Sequence, residues 1–229
     1  ITVATGGTGA LPGVDQFNDT PSSSVTMDPA TINSAASNVT LQANNDITVS
    51  NAIRMTTPGV ALTMQAGRDI TINADVSTTN GAISLIANDS AAIVADRLSG
   101  AGNILMASGT TLSAGNQNIT LAIGTLSTAG SITAANLTTN GGTILINSPN
   151  TVTLIGAVTS GSGPISITAE DLTVNTGGSL VGTSGTVDLN RSFTLSSGIF
   201  SLPTGTMNVA GDLTLAGGTF TAGALTLNL

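Results

Sequence analysis

Cysteine, histidine, tryptophan, tyrosine and lysine are all missing from the 229 residues of this chain. Without cysteine there are no disulfides and no thiolate metal sites. Without cysteine or histidine the usual nucleophile–base pairs of covalent catalysis are gone. Charge is scarce as well: eleven Asp, one Glu and four Arg make up 7% of the residues and leave a net charge of −8. An ordinary domain carries roughly 25% charged residues, so Thr, Ser and Asn must cover this surface. Nucleic acid and anionic membranes both require a basic face. Four scattered Arg do not supply one, and no nucleic-acid partner is expected. No apolar run approaches the roughly 20 residues of a bilayer span, so no membrane insertion is expected in this segment. There is no initiating Met and no basic-then-apolar leader. The chain starts at Ile1 and stops at Leu229 inside an alternating stretch, which reads as a piece of something longer.

What the chain does have is hydrophobic residues, 40% of the total, in a regular order. From residue 38 onward, apolar residues fall at i and i+2, the signature of a strand with one buried face. A first column of pairs runs Val39/Leu41, Leu62/Met64, Ile83/Leu85, Ile104/Met106, Ile144/Ile146, Ile165/Ile167, Val187/Leu189, Met207/Val209 and Leu225/Leu227. Most steps are about 21 residues. One double step implies a hidden rung near Leu121 to Leu126. A second column runs Ile47/Val49, Ile70/Ile72, Ala91/Ile93, Leu112/Ala114, Ile132/Ala134, Val152/Leu154, Leu172/Val174, Phe193/Leu195 and Leu213/Leu215. A third holds single apolar residues at Ile53, Val76, Leu98, Ile119, Leu137, Val158, Leu180, Phe200 and Phe220.

Three columns per repeat mean three short strands per turn, and a fixed period means a stacked array. Gly and Asn punctuate the joints, as in Asn80-Gly81 and Asn140-Gly141-Gly142, where corners need special backbone conformations. The chirality of parallel crossovers favours the right hand. The expectation is an all-β, single-stranded right-handed parallel β-helix of about ten rungs over residues 38–229. Residues 1–37, broken by Pro12, Pro21 and Pro29, are expected to form an irregular leader strand plus loop, or cap, without helical periodicity, with Phe17, Val25 and Met27 covering the end of the core.

The phrases Val39-Thr-Leu-Gln-Ala-Asn-Asn-Asp-Ile-Thr-Val49 and Leu62-Thr-Met-Gln-Ala-Gly-Arg-Asp-Ile-Thr-Ile-Asn-Ala74 resemble the repeats of filamentous-haemagglutinin-type exoproteins of the two-partner secretion pathway. The resemblance spans roughly residues 38–229. It implies a β-helical adhesin or fibre shaft exported by a Gram-negative bacterium to the cell surface or beyond. The Asn-Pro motifs of that family's secretion domain do not occur here, so the segment resembles shaft rather than the export-directing end.

Candidate sites are few. Asp46 and Asp69 hold one repeat position on adjacent turns, where about 5 Å of separation would suit a shared Ca²⁺ if more oxygen ligands were at hand. Asp is also a favoured corner residue for its own sake, and Asp171 and Asp212 share the position. Arg68, between Asp46 and Asp69 in sequence, would relieve repulsion along that column. Glu170-Asp171 is the one adjacent acidic pair, but strand neighbours point to opposite faces unless a corner bends between them, against a two-carboxylate glycosidase. Catalytic residues and cofactors are therefore expected to be absent. Sequons occur at Asn18, Asn38, Asn88, Asn118, Asn136 and Asn190, as Asn- and Thr-rich composition alone would produce. A Thr-paved face for glycans or ordered water would need Thr in regular files, and here Thr wanders between columns.

The leading reading is a non-enzymatic structural or adhesive shaft of a secreted or surface bacterial protein, with surface glycans as partners. The alternatives are an extracellular filament subunit that stacks end to end with itself, and a polysaccharide-binding or -cleaving β-helix.

Overall fold

The short alternating segments cannot fold one at a time, because each buries its apolar face only against the turns above and below. In the computed structural model, which describes residues 1–19 and 23–229, they coil into a right-handed parallel β-solenoid. Residues 20–22, including the break assigned to Pro21, lie outside the described residues.

Among the described residues, 27 strands form three parallel sheets of nine, ten and eight strands. The first sheet begins at Val39–Ala43, the second at Ile47–Val49 within the coil, and the third at Ile53–Met55. The ten strands of the second sheet set ten levels, and Ala224–Asn228 opens another, giving about 11 turns. At the usual strand spacing the column is roughly 50 Å long.

Stacking is in register apart from one shift in the second sheet, where Gly102 and Ile104 pair with Ala129 and Ile132. Val39, Leu62, Ile83, Ile119, Ile144, Ile165 and then Gly185 follow one another down the first sheet. Inward residues of these ladders are almost fully buried, including Leu41, Ile70, Ile104, Ile132, Val152 and Leu172 at 0% exposure. The end of the core is aromatic: Phe200 and Phe220 stack in parallel with centroids 4.9 Å apart, and Phe193 meets Phe200 edge-on at 5.2 Å.

The structure corrects the column assignment between residues 88 and 123. Ile83 and Ile119 are successive members of the first sheet, 36 residues apart, whereas Ile144 and Ile165 are 21 apart. The excess is a loop at the corner after Ile83–Ala87, with a single 3₁₀ turn at Val94–Asp96. Ala91/Ile93 and Leu98 are therefore not rungs, and Leu98 is 60% exposed. Ile104/Met106 belongs to the second sheet beside Ile70/Ile72, and Leu112 to the third beside Val76. The hidden rung is the first-sheet strand Ile119–Ile123, which opens on the residue read as a third-column single. An insertion whose apolar residues happen to alternate is invisible to a periodic reading.

Residues 1–37 hold the expected leader strand and, beyond it, a second strand and a short helix. Thr2–Val3 lies between Thr26–Met27 and Ile47–Val49 in the second sheet. Pro29 starts the short helix Pro29–Asn33 rather than ending an element: Asp28 caps it by accepting from Ala30 N at 2.9 Å, and Pro fits the first helical position. This helix packs on the edge strand Ile53–Met55, where Asn33 Oδ1 accepts from Arg54 N at 2.6 Å. Val14 O accepts from Gln42 N at 2.7 Å on the edge of the first sheet. Phe17 is 8% exposed, Met27 is fully buried, and Val25 packs partly buried against the core.

Candidate functional surface

Corners form where side-chain oxygens of one turn accept from backbone N–H groups of the next. Asp46 Oδ1 accepts from Asp69 N at 3.2 Å, Asp69 Oδ1 from Asn103 N at 2.8 Å, and Asn103 Oδ1 from Ser131 N at 3.0 Å. Asn38, Asn118 and Asn136 do the same at other corners, accepting from Ala61 N, Thr143 N and Ala157 N at 2.8–3.0 Å. These bonds satisfy donors that a bend in the chain would otherwise strand.

The Asp46–Asp69 column is bridged by Arg68. Its Nε and Nη2 reach Asp46 at 2.7 and 2.5 Å, and its Nε lies 3.9 Å from Asp69. Burial pushes the Asp46 carboxyl up, but the Arg68 hydrogen bonds, the Asp69 N–H and the guanidinium charge outweigh it and hold Asp46 below the usual carboxylate range. The oxygens a Ca²⁺ would need are engaged by a cation the chain supplies itself. No group of three or more acidic side chains converges on a metal-sized site among the described residues. Arg191 plays the same part lower down. It grips Asp171 through two hydrogen bonds and lies 3.7 Å from Glu170, and its hydrogen bond is the main reason the Asp171 carboxyl is held low.

The inserted loop reaches back over the first two turns. Asn45 donates to Asp96 O at 2.9 Å and accepts from Leu98 N at 2.6 Å. Asn44, 6% exposed, joins the leader to the loop by donating to Phe17 O and accepting from Ile93 N, both at 2.8 Å. Arg97 donates to Gly67 O, Leu98 O and Gly100 O. Asn88 is wholly buried at its base, with both side-chain atoms bonded to backbone at Gly124 and Ser127. That sequon is closed, while Asn18, Asn38, Asn118 and Asn190 are exposed.

The outer faces hold a feature that sequence reading missed. Strand register places Thr26, Thr2, Thr48, Thr71, Leu105, Thr133, Thr153, Thr173, Thr194 and Thr214 in one file on the second sheet. The first sheet has a matching file: Thr40, Thr63, Ser84, Thr120, Leu145, Ser166, Thr186, Thr206 and Thr226. Thr does not wander over most of the two files; it holds the outward position inside most of the apolar pairs, with Leu105 and Leu145 as interruptions and Ser84 and Ser166 as substitutes. That pairing was the signal that would have found it. None of these hydroxyls has a hydrogen-bond partner among the described residues. On the second sheet the file is flanked by the charged corner column, since Asp46, Asp69, Asp171 and Asp212 each stand two residues before a file Thr.

No family model, curated protein or solved structure matches this chain.

Proposed function

We propose that this chain is the non-enzymatic shaft of a secreted or cell-surface bacterial exoprotein, with an adhesive role. The observation that carries the reading is the unbroken stack of in-register turns, whose polar exterior repeats from level to level. Such a column holds functional groups away from an anchor and presents one surface many times over. The filamentous-haemagglutinin-like repeats of residues 39–74 support the same reading and point to export by a Gram-negative cell. Support also comes from the carboxylates: Asp46, Asp171 and Glu170 sit against arginines, an arrangement that stabilises corners and leaves no free acid–base pair there.

The test is adhesion. Beads coated with the purified chain are expected to adhere to cell surfaces or extracellular matrix, and beads coated with an unrelated protein of similar negative charge are not. Equal adhesion of both would remove the adhesive role. Release of soluble products from polysaccharide by the purified chain would replace the shaft reading with an enzymatic one.

A further inference from the structure

The three outer faces are not equivalent, and only one has the width and neutrality of a binding surface. First-sheet strands run to six residues at several levels, as in Pro164–Ala169 and Ser184–Leu189; the second sheet exceeds four only at Gly102–Met106 and Ala129–Ala134, and third-sheet strands run to three. The first sheet therefore shows a second outward file beside its Thr/Ser file. It starts Gln42, Gln65, Ile86, Ala122 and ends Asp188, Asn208, Asn228. Across the two files Asp188 is the one charged residue.

We propose that this face is the adhesive surface and that its partner is an uncharged polysaccharide lying along the solenoid axis. The inference rests on the adhesive reading above and adds the face and the ligand class. Hydroxyls and amides both donate and accept, which matches the hydroxyl-rich, uncharged surface of a neutral glycan. They recur at about 4.8 Å along the axis, so a repeating polymer meets a hydroxyl at every level of the first file but that of Leu145.

Charge decides against acidic glycans. The chain carries −8 and has no Lys or His. Arg68 and Arg191 are paired with Asp46 and Asp171, Arg97 is spent on backbone carbonyls, and Arg54 faces Asp75 on the third sheet. No cation remains on the first sheet to meet a sulfate or a uronate. A protein partner is disfavoured as well, because protein interfaces centre on aromatic and Arg anchors and this face has neither. The lack of an exposed aromatic platform makes each sugar contact weak, and binding gains its strength from repetition.

The experiment is co-sedimentation of the purified chain with insoluble neutral polysaccharides (cellulose, mannan, curdlan) and with heparin and alginate beads. The wild type is expected on a neutral polymer and not on the acidic ones. Thr120→Asp with Thr186→Asp places charge in the file and is expected to weaken retention at least about tenfold. The same change on the second sheet, Thr153→Asp with Thr194→Asp, is expected to leave it unaltered. Thr120→Ala with Thr186→Ala serves if the charged variant fails to fold, as checked by circular dichroism, and should also weaken retention. Retention on acidic beads alone, on no polysaccharide, or equal loss in the second-sheet variant overturns the proposal. If coated beads still adhere to cells while every polysaccharide fails, this inference falls and the adhesive reading stands; if neither binds, both fall.

Discussion

Asp46 shows how a chain so poor in charge spends what it has. Its carboxylate is half-buried at a corner, where Arg68 and the Asp69 N–H bind it from the next turn. Asp46→Ala leaves Arg68 without its main partner and is expected to cost about 1–2 kcal/mol after allowance for partial exposure, read as a shift in urea midpoint. The sign of the pH effect follows from the lowered folded-state pKa: the unfolded chain binds the proton more readily. The stabilisation is thus complete above the ordinary Asp value of about 3.9 and disappears as pH falls through the lower folded value. Urea midpoints measured from pH 6 to pH 2 should fall in that acid window, and Asp46→Asn should flatten part of the drop. A wild-type midpoint constant through that range would contradict this account. The Arg191 guanidinium lies far more in solvent than that of Arg68, so losing its partner strands less charge and Asp171→Ala should cost less than Asp46→Ala. Asn44→Ala cuts the tie between leader and loop and should cost about 1–3 kcal/mol, since it strands buried backbone groups.

Among the elements, the strands and the corners fail in different ways. Ile167→Ala removes a wholly buried side chain from a first-sheet ladder and should cost about 2–5 kcal/mol by urea titration. At the corner, Gly81 leaves no room for a methyl group: a Cβ there would lie 1.8 Å from Val60 O. Gly81→Ala should force the two turns apart and cost about 1–3 kcal/mol. Gly59→Ala meets open space and pays only for its φ of +79°, about 1 kcal/mol. Equal costs for the two glycines would show that the turns are not stacked as closely as described. Strands were the legible part of the sequence. Pairs such as Ile70/Ile72 and Val152/Leu154 alternate because one face is buried, and their spacing is the length of one coil. The loop between Ala87 and Gly102 was not legible, because Ala91, Ile93 and Leu98 mimic the alternation while the polar ties of Asn44, Asn45 and Arg97 that lay the loop down are long-range. The helix at Pro29–Asn33 was hidden by its brevity, although Asp28-Pro29 is a recognisable helix start. The Thr files were in plain sight, but a file exists only once register is known.

At the scale of the whole molecule, stacked turns form a column whose outer files run its length. Most outward positions of the first and second sheets then present the same kind of group at the strand spacing, and the adhesive proposal rests on that recurrence. The natural absence of cysteine makes the claim directly measurable, since any introduced thiol is the sole label site. Thr40 and Thr226 stand at opposite ends of one first-sheet file, eight levels apart. With Thr40→Cys and Thr226→Cys spin-labelled, dipolar spectroscopy should give a single narrow distance of about 38 Å, eight strand spacings. A much shorter distance, or a broad distribution, would contradict the column and everything built on it.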